Sequence, residues 1–351
     1  MPSELRVDKI SSTTSPYDPV FSTTGGALSH RNMVVNGDMR IAQRGTSAVT
    51  ADSQFPVDRF RTDVTNNGSF SLQQVSESPA NFQHSLKWTV TGTDTSLSSA
   101  QYAYFRTRIE GYDVAHLNWG TSDAQTVTLS FYIKSSVTGT FGGAIWNNSF
   151  NRSYPFSYTV STTDWERKSI TIPGDTTGTW NKDTTCGMNI APIGSAGSTY
   201  SNTAGAWVGS GEITATGATN IMATNSATYH ITGVQLELGS VATPFEHRSY
   251  GDELQRCQRY FQVHSNIALK AYVSGGTVRH ETYVPLPVPM RATPTRAVTT
   301  TGNTTNVRSP ATTYSGINYY LTSDSVVLQM ESAATGLVAI NGRTETLTAE
   351  V

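Results

Sequence analysis

The chain is poor in charge and in sulfur. Charged side chains make up 14% of its 351 residues, against about a quarter in an average globular protein. Its 24 basic and 26 acidic residues nearly balance, with no long run of either sign, so the basic face that a phosphate backbone demands is missing and nucleic acid is not expected as a partner. Cys186 and Cys257 are the two cysteines. They are too few for a disulfide framework and lack zinc-site spacing, so two reduced thiols are expected. No segment approaches the roughly 20 apolar residues of a helical membrane span, and insertion into a membrane is not expected. The opening MPSELRVDKI carries Glu4, Arg6 and Asp8 with no apolar run behind them, unlike a secretory leader. GxSxG, HExxH, CxxC and a phosphate-cradling glycine loop are also missing, and no enzymatic activity is expected.

What remains is a 37% hydrophobic chain in which Ser, Thr, Gly and Asn separate short apolar runs. Val127, Leu129, Phe131 and Ile133 alternate with Thr128, Ser130, Tyr132 and Lys134, the period of a strand with one buried and one wetter face. Similar runs cover 102–108, 156–160 and 170–172, with turn signals such as Pro173-Gly174-Asp175 between them. Many short strands without intervening helices predict an all-β sandwich over 32–248. In its last strand Tyr229 and Ile231 share one parity and Val234, Leu236 and Leu238 the other, which predicts a β-bulge at Gly233.

Flanking segments read differently. Residues 1–31, rich in Ser, Thr, Pro and Gly, read as an extended arm or a disordered terminus. Ser249 and Asp252 stand in a capping-box-like relation, so 249–262 should be a short linking helix with Tyr250, Leu254, Cys257 and Phe261 along one stripe. That stripe packs either on its own sandwich or around a threefold axis, being too short for a coiled coil alone. Residues 263–351 predict a small β-domain with an exposed loop over 302–315, whose thin core trimeric packing would complete.

Aromatic residues offer the best ligand-binding material, because sugar rings stack on Trp and Tyr while Asn, Arg and Asp take the hydroxyls. Trp146 runs into a loop containing Asn148 and Arg152, which makes it the first choice. Tyr200 and Trp207 form the second candidate patch, and Asn306, Arg308 and Tyr314 at the C-terminal tip the third. Trp88 and Trp165 have apolar neighbours and are expected in the core. Asp164, Glu166, Asp175 and Asp183 are the nearest approach to a carboxylate pair for glycoside hydrolysis, yet most are turn residues.

Three phrases carry a resemblance: residues 32–44 (NMVVNGDMRIAQR), 232–261 (TGVQLELGSVATPFEHRSYGDELQRCQRYF) and 287–295 (PVPMRATPT). Together they resemble the fibre and receptor-binding proteins of tailed bacteriophages. Within 33–247, NGDM, FYIKSS, DWERKSITIPG and TGVQLELG look like a jelly-roll carbohydrate-binding module. The resemblance implies a virion protein, most often at the tail, that is trimeric, docks on other virion proteins through its arm and meets a host surface glycan. A capsid fibre or decoration protein and a polysaccharide-degrading tail enzyme are the alternatives. For a structural calcium the resemblance points to Asp38 and Glu237. Here, however, Thr232-Gly233 stands where such modules carry acidic residues ahead of the closing strand, and two carboxylates fall short of the six or more oxygens calcium takes. No cofactor is expected.

Overall fold

The computed structural model describes residues 30–65, 68–273, 278–300, 303–306, 314–332 and 336–351. Apart from His30 and Arg31, the expected arm lies outside the described residues, as does Arg308. Two five-stranded antiparallel sheets form a jelly-roll sandwich. The first runs β1 (Phe60–Val64), β4 (Tyr102–Glu110), β9 (Cys186–Ala196), β6 (Gly139–Trp146) and β7 (Ser153–Val160). The second runs β2 (Ser69–Val75), β3 (Ser85–Gly92), β12 (Thr228–Leu238), β5 (Val127–Ser135) and β8 (Glu166–Ile172). Between β9 and β12, the short β10 (Ser201–Asn202) and β11 (Thr214–Ala215) pair in parallel. A four-residue helix, α1 (Gly111–Val114), follows β4 and was not anticipated by the sequence pattern.

Alternation builds the core as expected. Val127, Leu129, Phe131 and Ile133 of β5 are all fully buried, facing Phe141, Ile145, Phe156 and Ile190 from the other sheet. The outer face of β5 is drier than expected: Thr128 and Ser130 are buried too. The chain leaving β12 folds back there, so Thr128 donates to the Gly239 carbonyl at 2.8 Å. Register between β12 and β5 slips between Thr232 and Gln235. Gly233 occupies the slip with φ +63°, and a Cβ there would lie 2.7 Å from the Phe82 ring, so the bulge needs glycine on both conformational and steric grounds.

Residues far apart in sequence meet in a joint below the sandwich. The Asn32 side chain donates to the Val234 carbonyl at 3.1 Å and accepts from the Leu236 amide at 3.1 Å, stitching the opening phrase to the closing strand. Asn36 adopts φ +61°, a region Asn tolerates better than most residues. Its amide bonds the carbonyls of Ile41 and Asp58 while its oxygen accepts from the Ile41 amide. The helix α2 (Tyr250–Gln258) begins at Ser249, whose hydroxyl accepts from the Asp252 amide at 3.1 Å, as the cap signal predicted. Glu253 in its first turn is buried, accepts from the Asn36 amide and pairs with Arg248 at 3.2 Å.

Asp58, 1% exposed, completes this joint by accepting from the Gln43 amide at 3.0 Å. Burial is the largest influence on its carboxyl and pushes it up to about 6. Between the unfolded value of about 3.9 and the folded one, the folded chain keeps a proton that the unfolded chain has released. Asp58's contribution is therefore full below about pH 3.9 and is lost as pH rises through about 6. Denaturant unfolding should show about 2–3 kcal/mol of this loss between pH 4 and 7, and Asp58→Asn should remove it. An equal pH dependence in the variant would assign the effect elsewhere.

Beyond α2, β13 (Phe261–Val273), β19 (Gly336–Thr348) and β15 (Thr295–Thr300) make one antiparallel sheet, joined by β16 (Asn303–Asn306) along β19. A second sheet is ordered β14 (Val278–Pro285), β18 (Ser325–Ser332) and β17 (Tyr314–Leu321). The small β-domain is thus present, but 303–306 is strand where a loop was expected. The helix is shorter than the expected 249–262: Cys257 of its stripe is buried, Leu254 is partly buried and Tyr250 is 58% exposed, while Phe261 lies beyond its end and is buried as the first residue of β13.

Candidate functional site

Strand parity decides what the first sheet offers to solvent. In β4 (YAYFRTRIE), Ala103, Phe105, Thr107 and Ile109 face the core and are buried. Tyr102, Tyr104, Arg106 and Arg108 therefore face outward. In β1, Phe60 and Thr62 go inward, leaving Arg61 and Asp63 on the outer face.

Segment 197–219 roofs half of that face. A Cβ on Gly142 would lie 2.3 Å from the Thr214 hydroxyl, so the roof rests directly on β6. Beneath it Tyr104, Ala144, Trp146, Ala191 and Ile213 form a second small core, with Tyr102, Phe150 and Tyr200 packed at its edge. Ring centroids are 5.8 Å apart for Tyr104–Trp146, 5.6 Å for Trp146–Phe150 and 5.5 Å for Tyr102–Tyr200. Trp146 is 1% exposed, so the expectation that it faces ligand is corrected. Its strand has the right parity for the outer face, but the roof seals it.

The other sequence candidates scatter. Asn148 is exposed at the loop tip. Arg152 is engaged with the buried Asp175 through two hydrogen bonds, the Nε one at 3.0 Å, and Asp175 also accepts from the Trp180 indole at 3.1 Å. Trp207 packs against Trp119 at 5.2 Å and Trp180 at 5.6 Å and donates its indole N–H to the Pro173 carbonyl at 2.8 Å. These are structural roles. Tyr200 keeps a partly exposed edge beside Tyr102. Asn306 ends β16 and Tyr314 begins β17, on different sheets. Trp165, expected in the core, is instead partly exposed on the outer face of the second sheet, edge-on to His230 at 5.9 Å.

Among the carboxylates considered for metal or catalysis, Asp164 is exposed and the others are held by protein partners. Glu237 accepts from Gln235 at 2.9 Å and from the Thr243 amide and hydroxyl at 2.9 and 2.6 Å, while Asp38 pairs with Arg40 at 3.0 Å. Neither calcium candidate joins the other in a ligand set: among the described residues no group of three or more His, Cys, Asp or Glu could hold a metal. Glu166 pairs with Lys168 at 2.6 Å and Asp183 caps the Thr185 amide at 2.9 Å.

The unroofed half of the first sheet's outer face holds a cleft of about 210 Å³, lined on the sandwich side by Ser53, Phe55, Arg59, Arg61, Arg106 and Arg108. Thr348, Glu350 and Val351 form the opposing wall. Arg106 meets Asp63 side-on, Nε to Oδ2 at 2.9 Å and Nη2 to Oδ1 at 3.0 Å, while Arg61 reaches the same carboxylate at 3.1 Å. Arg106 also donates to Asn189 at 3.2 Å, and Arg61 to Ser53 at 2.8 Å. Glu350 pairs with Arg44 at 3.0 Å and with Arg59. Arg108 donates to the main-chain oxygen of Val351. Burial, then the charge of Arg106, push the Arg108 guanidinium down to about 10. This concentration of guanidinium was missed, although R-T-R in β4 and F-R-T-D in β1 put it on one face by parity alone.

The fold and cleft define an all-β jelly-roll protein with a cationic groove between its sandwich and its C-terminal tail. No protein-family model matches the chain, and no curated protein matches it. Among solved structures, the enzymatically active domain of tailspike protein 4 of Bacteriophage CBA120 is similar over 59% of this chain and 21% of its own, at 11% identity and TM-score 0.31. The family 11 carbohydrate-binding module from Clostridium thermocellum, solved with a β-1,3-1,4-mixed-linked tetrasaccharide, is 14% identical over 57% of this chain and 99% of its own, TM-score 0.28. The CBM22-1 xylan-binding domain of Paenibacillus barcinonensis Xyn10C is 10% identical over 60% and 96%, TM-score 0.29. This chain spans about a fifth of the tailspike chain it matches. Likeness at this level says nothing of what this chain binds.

Proposed function

We propose that the chain is a virion protein of a tailed bacteriophage, a tail fibre or receptor-binding protein that adheres to host surface glycan without cleaving it. The observation that carries this reading is the joint. The three phrases that carry the resemblance, far apart in sequence, converge on it: Asn32 bonds Val234, Gln43 reaches the Phe261 carbonyl at 2.9 Å, and the Arg291 amide bonds the Arg259 carbonyl at 3.0 Å. Chance phrases would not be expected to assemble one buried connector. The groove, with Phe55 in its lining and Tyr102 and Tyr200 at the edge of the neighbouring small core, supplies stacking surface and donors of the kind sugars use.

In this reading residues 1–31 dock on other virion proteins. Three copies associate through the tip and α2, where Tyr250 and Leu254 are the stripe residues left to a partner because Cys257 and Phe261 are buried within the chain. Contacts of about millimolar strength, roughly 4 kcal/mol each, become useful when several engage at once. Immunogold labelling of intact virions should decorate the tail, and purified protein should bind host cells saturably and lose that binding when surface glycan is stripped. Gold on the head without cell binding would move the protein to the decoration class, and sugar released from host envelope would make it an enzyme.

A further inference from the structure

The groove is selective in charge as well as shape. Four guanidiniums line it, and Glu350 supplies the one carboxylate side chain of its lining. Glu350 is taken up by Arg59 and Arg44. Asp63, beneath the floor, serves both Arg61 and Arg106. Asp52 at the rim bonds the Val64 amide at 2.8 Å and the Ser53 hydroxyl at 2.7 Å. Arg108 is left with a main-chain oxygen at Nη1 and no partner for its buried Nε. The Nε atoms of Arg59 and Arg61 are likewise without a hydrogen-bond partner.

Arginine forks match carboxylates through paired N–H donors, and the groove already shows this match once, where Nε and Nη2 of Arg106 face the two oxygens of Asp63, while Glu350 takes one N–H from each of Arg44 and Arg59. A guanidinium half-withdrawn from water beside a second one is costly unless an anion approaches. Space and flanks suit one sugar ring: about 210 Å³, with Phe55 in the wall and the Tyr102–Tyr200 pair beyond Arg106. We propose that this groove binds the carboxylate of an acidic sugar residue, with Arg108 and Arg61 as the charged recognition groups, Arg106 held between them by Asp63 and Asn189, and Phe55 packing on the ring. The proposal rests on the glycan-adhesion reading and names the class of glycan.

The test is equilibrium binding to the full chain of four probes: a uronic-acid oligosaccharide, its neutral methyl ester, a sulfated neutral oligosaccharide and inorganic sulfate. The free acid should bind at least tenfold more tightly than its ester, weaken at high salt, and weaken about tenfold again with Arg108→Gln or Arg61→Gln in variants that melt cooperatively. The acid–ester comparison uses unaltered protein, so it stands even if a variant does not fold. Equal binding of acid and ester would overturn acid recognition and leave glycan adhesion intact. Preference for the sulfated probe, or binding of inorganic sulfate as strong as of the uronate, would overturn the carboxylate assignment. Failure of all saccharides together with failure to bind host cells would overturn the adhesion reading and the proposal together.

Discussion

Trp146→Ala is expected to lower unfolding free energy by about 3–5 kcal/mol, the range for removing a large buried aromatic. The indole is 1% exposed and contacts Tyr104 and Phe150 edge-to-face. Its loss would open a cavity between β6 and the 197–219 roof, under Ile213 and beside Tyr200, while Trp207 keeps the far end of the roof anchored on Trp119 and Trp180. A sugar platform would behave oppositely, since exposed substitutions stay within about 0.5 kcal/mol and spend their effect on binding. Denaturant titration of the variant separates the two. A stability change below about 1 kcal/mol with lost glycan binding would mean that the roof opens and Trp146 meets ligand.

Asn36→Ala should cost a similar amount, about 3–5 kcal/mol, through a different mechanism. Three hydrogen bonds to buried main-chain groups of Ile41 and Asp58 disappear, at 2.8 to 2.9 Å, and each group left unpaired costs about 1–3 kcal/mol before relaxation. Alanine must also hold φ +61°, at about 1–2 kcal/mol. Glycine shares the lost bonds but not the backbone strain, so Asn36→Gly should be about 1 kcal/mol less damaging than Asn36→Ala. If the two variants unfold at the same denaturant concentration, the backbone part of this account is wrong.

Much of the sandwich was readable because one face of each strand enters the core, and parity exposes that. The bulge at Gly233 was readable for the same reason: a change of parity has few physical causes. Ser249 announced α2 through its side chain alone. Trp146 was misread because parity tells which face a residue takes but not whether that face is later covered, and the cover is a polar, Gly-rich segment with no apolar pattern of its own. β16 was missed since NTTN shows no apolar alternation, pairing instead along β19. Arg106 and Arg108 were visible as alternating positions in a predicted strand, whereas Arg59 and Arg61 lie in or beside β1, a strand not singled out from the sequence. Their meeting with Glu350, close to 300 positions later in the chain, was not, because long-range convergence leaves no local trace.

The joint has a mechanical side. Asn32 and Arg248, where the chain enters and leaves the sandwich, are tied directly to each other, and Glu246 accepts from the Asn32 amide at 2.9 Å. The ten-stranded body is therefore a closed loop hung from one knot. Tension applied between residue 30 and the C-terminal β-domain would load the bonds of Asn32, Asn36, Arg248 and Glu253 first, and would reach the sandwich through β12, where Asn32 is bonded to Val234 and Leu236.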